Sequence, residues 1–145
     1  MTLEQLEAKD AIREVIDRFS NLECDVAAQS ALFTTDARVE VYTDGARTMD
    51  IRGRDELIQR FGAFTGGVKS SYHMNGQQVI TLNDDGTATD EHYCRAVLVS
   101  SGEDGDRLSD NCIRYTDTLV QQEGAWLIAH REQHFVLSET RPRNT

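Results

Sequence analysis

Arg131 lies in the middle of Ala125–Leu137, an otherwise apolar, strand-like run. A charged side chain there must reach solvent, pair with a carboxylate, or line a cavity. A second such run, Ser71–Leu82, carries His73. A neutral imidazole can remove a proton beside a carbonyl or a leaving group at physiological pH, and it can equally just hydrogen-bond a neighbour. Other chemistries find no support in the residue order. The chain shows no Ser-His-Asp order, no glycine-rich phosphate loop and no metal-ligand spacing among its four histidines and three cysteines. Cys24, Cys94 and Cys112 also form no disulfide framework, and an odd count suits a reducing cytoplasm.

The elements that must position these groups follow from pattern. Thr2 and Gln5 make a capping box, and Leu6, Ile12, Val15, Ile16, Phe19 and Leu22 recur at helical spacing, predicting a helix over residues 2–22. A short second helix is expected from Val26 to Phe33, then a strand from Ala37 to Thr43 ending at the turn Asp44-Gly45. Asp55 suits the cap of a third helix carrying Leu57, Ile58, Phe61 and Phe64 and stopped by Gly66-Gly67.

From Ser70 onward the pattern is strand: Ser71–Leu82, Thr87–Ser100, a partner beginning near Leu108 after the polar loop Gly102–Asp106, Ile113–Gln121 and Ala125–Leu137. Glu123-Gly124 joins the last two, and short turns throughout imply an antiparallel meander. Helices first and strands afterwards give an α+β fold, a curved antiparallel sheet wrapped on three N-terminal helices into a cone able to hold a small molecule. One domain over residues 1–139 with a polar, frayed tail over residues 140–145 is expected from a chain of 145 residues.

Composition narrows the partners. A net charge of −10 argues against nucleic acid and anionic membrane surfaces. There is no apolar run long enough to span a bilayer, and the acidic, helical N-terminus does not read as a signal peptide.

The order of elements resembles the SnoaL-like branch of the nuclear transport factor 2-like superfamily. Ala11-Ile12 to Arg18-Phe19 resembles that branch's first helix, and Leu32-Phe33-Thr34-Thr35-Asp36-Ala37 its helix-to-strand junction. Ile51-Arg52-Gly53-Arg54-Asp55 resembles the start of the third helix, and Tyr115-Thr116-Asp117 and Gly124-Ala125-Trp126 with Arg131 the closing hairpin. The similarity covers about residues 4–137 and speaks to fold, because this fold hosts dehydratases, isomerases, cyclases, epoxide hydrolases and proteins without catalysis.

The resemblance implies roles for particular residues. His73 matches the general-base histidine of the scytalone dehydratase and hexachlorocyclohexane dehydrochlorinase families. Those relatives orient it with an aspartate just after the first helix. Here that loop is about two residues shorter, and Asp25 either takes the role after a register shift or caps the second helix, with Glu23 close by. Arg131 matches a pocket arginine that would stabilise a developing anion, the rival being an ion pair with a neighbouring strand. Phe19, Tyr42, His92, Asn111 and Tyr115 are the implied substrate-binding residues, the last three by strand alternation from an inward Cys94. His130 and His134 fall on the opposite face from Arg131.

The scytalone dehydratase and ketosteroid isomerase residue sets are incomplete here, so neither activity transfers whole. The leading expectation is a cofactor-free enzyme that eliminates, isomerises or cyclises a small apolar substrate, with no metal. The alternatives are a non-catalytic ligand-binding module and a partner-binding domain. An outer sheet face carrying Tyr93, Val97, Val99 and Ile128 is expected to bury in a homodimer.

Overall fold

Thr2 opens the first helix as the spacing predicts. Its hydroxyl accepts from the Gln5 amide and the Gln5 side chain accepts from the Thr2 amide, so two otherwise orphaned N–H groups are satisfied at once. This helix, α1, runs Leu3–Asn21 and buries Ile12, Ile16 and Phe19. A short helix, α2, spans Val26–Ser30 and stops before the expected Phe33, because Phe33 instead opens a strand and is fully buried. The third helix, α3, spans Arg54–Thr65. Its N-cap is Gly53 at φ 89°, a conformation that favours glycine, rather than Asp55, which sits in the first turn beside Glu56.

The computed structural model describes residues 1–144. Its strands are β1 Phe33–Thr43, β2 Ala46–Arg52, β3 Val68–Leu82, β4 Ala88–Gly102, β5 Gly105–Gln122 and β6 Ala125–Pro142. They form one curved, open sheet in the order β2-β1-β6-β5-β4-β3. The meander from β3 to β6 is antiparallel as expected, but β1 joins β6 in parallel, so the sheet is mixed.

Strand β2 is an addition to the expected set. Asp44 and Gly45, both at positive φ, make a tight hairpin turn, and Glu123-Gly124 repeat the device between β5 and β6. The polar loop expected over residues 102–106 closes to a two-residue turn, with Gly102 paired to Gly105. The tail also differs from expectation: Thr140, Arg141 and Pro142 continue β6 and pair with Ser109, Leu108 and Arg107.

Helices and the inner face of the sheet share one core, in which Ile12, Ile16 and Phe19 meet Phe33, Val39, Ile51, Leu57, Leu119 and Ile128. Ile128 therefore does not belong to the outer face. The register of β6 slips between Leu119↔Ile128 and Thr118↔His130, a bulge that lets Ile128 and Arg131 both point inward despite opposite parity. Val99 is buried too, whereas Tyr93 faces out with Tyr72, Met74 and Val79.

Tyr42 also faces out, correcting its expected place in the pocket. The alternation of β1 sends Val39 and Val41 to the core and Glu40 and Tyr42 to the opposite side. There Tyr42 stacks on His134 at 4.5 Å and donates to Glu40, which also pairs with Arg47 and His130. Burial alone would raise the Glu40 pKa, but these hydrogen bonds and the charge of Arg38 outweigh it and hold it down to about 2.

Candidate active site

The site begins where α1 ends. Leu22 is the last residue near helical geometry, and Glu23 turns into the left-handed region at φ 57°. That conformation is costly for a residue with a Cβ and persists only where its surroundings fix it. Two contacts do so. The buried Gln29 side-chain amide donates to the Glu23 carbonyl at 2.6 Å and to the Phe19 carbonyl at 3.0 Å, pinning the loop to α1. The Glu23 carboxylate reaches across to β3, where Ser71 donates to Oε2 at 2.8 Å and the His73 amide donates to Oε1 at 3.3 Å.

The same Oε2 lies 2.5 Å from Nδ1 of His73. Burial tends to raise the Glu23 pKa, but the hydrogen bonds from His73 and Ser71 and the proximity of the imidazole outweigh it, and the pKa falls below its ordinary value. An ionised carboxylate on Nδ1 holds the ring proton there. The lone pair of the neutral imidazole is then on Nε2, the atom a base would use.

Of the two roles the sequence left open for Asp25, it takes the helix cap. Its Oδ1 accepts from the Ala28 amide at 3.2 Å as the N-cap of α2, and the longer Glu23, two residues earlier, spans the gap left by the shortened loop.

His73 and Glu23 line a cavity of about 170 Å³. Its walls are chiefly the rings of Phe19, Phe61, Phe64, Tyr115 and Phe135. Phe19 and Tyr115 are thus on the cavity wall. Burial pushes the Tyr115 hydroxyl pKa far up, so at neutral pH the phenol is a proton-bearing donor. Polar lining comes from Cys24, Gln29, Arg60, Thr65 and Gln133; Gln29 is bonded to the Glu23 carbonyl, and Cys24 is linked to the dyad through a 3.6 Å contact from Sγ to Ser71 Oγ.

Three expected site residues lie elsewhere in the interior. Arg131 is fully buried and gives both Nε and Nη2 to Asp117 at 2.8 Å, its direct partner on β5. The ion-pair alternative therefore describes it, and it sits behind the cavity, its guanidinium 4.1 Å from the Phe19 ring and 4.4 Å from that of Tyr115. His92 is also buried, with Nδ1 2.5 Å from Asp90 and its ring stacked on the far side of the wall residue Tyr115. Asn111 spends its amide on the Ala96 carbonyl and Ser109 hydroxyl.

Ser71, Gln29 and Arg60 were not among the expected site residues. Ser71 shares a strand face with His73, which is a readable signal; the other two are legible only from the packing of α2 and α3 against the sheet.

Comparison with known proteins places this geometry in context. The family model for the SnoaL-like domain matches residues 4–132. A search of curated proteins finds no match. Among solved structures, a candidate scytalone dehydratase from Novosphingobium aromaticivorans is similar over 100% of this chain and 95% of its own, with 20% identity and a TM-score of 0.83. A type 2 hexachlorocyclohexane dehydrochlorinase is similar over 98% of this chain and 94% of its own, with 10% identity and a TM-score of 0.79. ActVI-ORFA from Streptomyces coelicolor is similar over 89% of this chain and 98% of its own, with 16% identity and a TM-score of 0.73. At such identities the likeness speaks to the fold.

Proposed function

The chain belongs to the SnoaL-like domain family, and on that basis we propose that it is a lyase-, isomerase- or cyclase-type enzyme whose base is the His73–Glu23 dyad. The observation that carries this reading is the 2.5 Å contact between His73 Nδ1 and Glu23 Oε2 at the wall of an apolar cavity. Nε2 takes a proton from a substrate carbon beside an electron-withdrawing group, and the imidazolium so formed is stabilised by Glu23. The electron pair left on carbon moves toward the substrate's acceptor oxygen or expels a leaving group. Tyr115, protonated and on the same cavity wall, is placed to donate to an oxygen that gains charge. These side chains supply the proton transfer themselves, and the reading uses no cofactor.

The dyad makes a spectroscopic prediction. Nitrogen-15 NMR of the wild-type protein should show His73 held as the Nδ1–H tautomer when neutral, and Glu23→Ala should release that preference. A mixture of tautomers in the wild type would favour the alternative, a pocket that binds a small molecule without chemistry.

We also propose that the outer face of the sheet buries in a homodimer. Met74, Tyr93, Cys112 and Val136 surround one shallow apolar groove there, and Leu137 nearby is two-thirds exposed. Light scattering should find a dimer for the wild type and a monomer for Tyr93→Asp; a monomeric wild type would refute this. No described helix is long and apolar enough to cross a membrane. The three unpaired cysteines suit the cytoplasm, where we place the protein.

A further inference from the structure

The charged and ionisable groups of the cavity come from different elements. Glu23, Cys24 and His73 line it from the α1–α2 loop and β3, whereas Arg60 lines it from α3. Among the lining residues Arg60 is the only arginine or lysine.

Three arginines of the sheet show what a committed guanidinium looks like here. Arg38, Arg95 and Arg131 each grip one carboxylate through two nitrogens, with Asp50, Asp110 and Asp117 as partners. Arg60 instead has a single loose contact, 3.7 Å to Glu56 one turn earlier on α3, and makes no side-chain hydrogen bond among the described residues. Such a surface pair holds a guanidinium weakly. The planar fork of Arg60, suited to two parallel hydrogen bonds with a carboxylate, is therefore available at the cavity.

Its surroundings say what it would grip. Phe64 lies one turn further along the same helix face and stays 65% exposed, a large ring left open beside the cation. Phe61 and Phe135 continue the apolar wall inward. A cavity of about 170 Å³ is close to the roughly 150 Å³ that accommodates one benzene ring. The charges also set a direction. Glu23 is ionised and repels an anion, while Arg60, on a different element, attracts one, so an anionic ligand has one favourable orientation. On a chain of net charge −10, an anion gains entry only where a cation offsets the overall field.

We propose that the substrate is a single-ring compound bearing one carboxylate-like anionic group. The anion pairs with Arg60, the ring lies among Phe61, Phe64 and Phe135, and the carbon to be deprotonated faces Nε2 of His73. The last clause rests on the dyad reading above; the binding of the anion does not.

Benzoate and its neutral isostere benzamide are the probes, titrated into the wild type, Arg60→Gln, Arg60→Lys and His73→Ala and followed by calorimetry and NMR. Arg60 is on the surface side of α3, and circular dichroism checks that each variant folds. The wild type should bind benzoate at least tenfold more tightly than benzamide, with shifts at Phe64 and His73. Arg60→Gln should bring benzoate down to the benzamide level and leave benzamide unchanged. Arg60→Lys should keep part of the preference, and added salt should shrink it. Failure of benzoate to bind at millimolar concentration, a wild type that does not prefer it, or an Arg60→Gln variant that keeps the full preference would each overturn the assignment. His73→Ala separates the two readings. It should retain the benzoate preference, so the loss of that preference in Arg60→Gln alone concerns the substrate class and leaves the dyad untouched.

Discussion

His73→Ala should abolish turnover of any substrate the cavity accepts, a fall of about 10²–10⁴ in kcat, with circular dichroism unchanged. The variant removes the only imidazole among the residues that line the cavity. Glu23→Gln should cost a similar factor for a different reason. The amide keeps the size of the side chain but carries no charge to stabilise the imidazolium, and its NH₂ group can occupy the position facing Nδ1 and invert the tautomer.

Glu23→Asp is the more discriminating test. The carboxylate is preserved, yet the shorter side chain withdraws it from Nδ1, and a displacement of about 1 Å at a catalytic contact costs about 10²-fold. If Glu23→Asp retained full rate, the fit of glutamate to the shortened loop would be irrelevant. If His73→Ala retained full rate on an identified substrate, the dyad would not be the base at all.

The pH dependence of the orienting contact has a definite sign. Glu23 has a folded pKa below its ordinary value, so its carboxylate is present throughout the neutral and mildly acidic range. Its hold on His73, and the stability that comes with it, is lost only as pH falls through that lowered value. Acid loss of activity before that point therefore cannot come from protonation of Glu23.

The distance between the expected and the observed site is instructive. His73 and Phe19 were singled out by the resemblance to the SnoaL-like branch rather than by period, and Tyr115 by strand parity from an inward Cys94. Glu23 was not singled out over Asp25, because both lie in a loop of four residues between helices where neither period applies. The choice was made by a left-handed backbone at Glu23 and by Gln29, buried and bonded to the Glu23 carbonyl, neither of which has a sequence signature. Ile128 failed for another reason. Parity is a reliable guide only within an unbroken ladder, and the bulge between Ile128 and His130 reverses it. Likewise the turn at Asp44-Gly45 was readable while β2 beyond it was not, since Ala46–Arg52 is mostly polar on an edge strand and lacks the apolar alternation of β1.

Arg131, the most conspicuous residue in the sequence, makes the second large prediction, and it concerns stability. Burial opposes its charge, but the Asp117 carboxylate overcomes that and keeps the guanidinium protonated, with a pKa above its usual value. Both side chains are wholly buried, and among the described residues Arg131 Nη1 has no hydrogen-bond acceptor. The guanidinium is instead packed among the rings of Phe19, Phe33 and Tyr115. Removing Asp117 leaves a buried cation without its hydrogen-bonded carboxylate, with only the charge of Asp90 still acting on it, so Asp117→Ala should cost about 3–5 kcal/mol in urea unfolding.

Replacing both partners removes the cation along with its partner. The double variant Asp117→Leu/Arg131→Met should therefore recover most of the loss, since a buried pair and an apolar substitute of similar volume are often near equal in energy. A cost below about 1 kcal/mol for Asp117→Ala would show that the pair is not what holds the interior together. A double variant as unstable as the single would instead show that the aromatic packing around the guanidinium, rather than charge balance, is the larger contribution. Because Phe19 and Tyr115 present one face to Arg131 and belong to the cavity wall, the single variant should also disturb the cavity, and it should do so without touching the contact between His73 and Glu23.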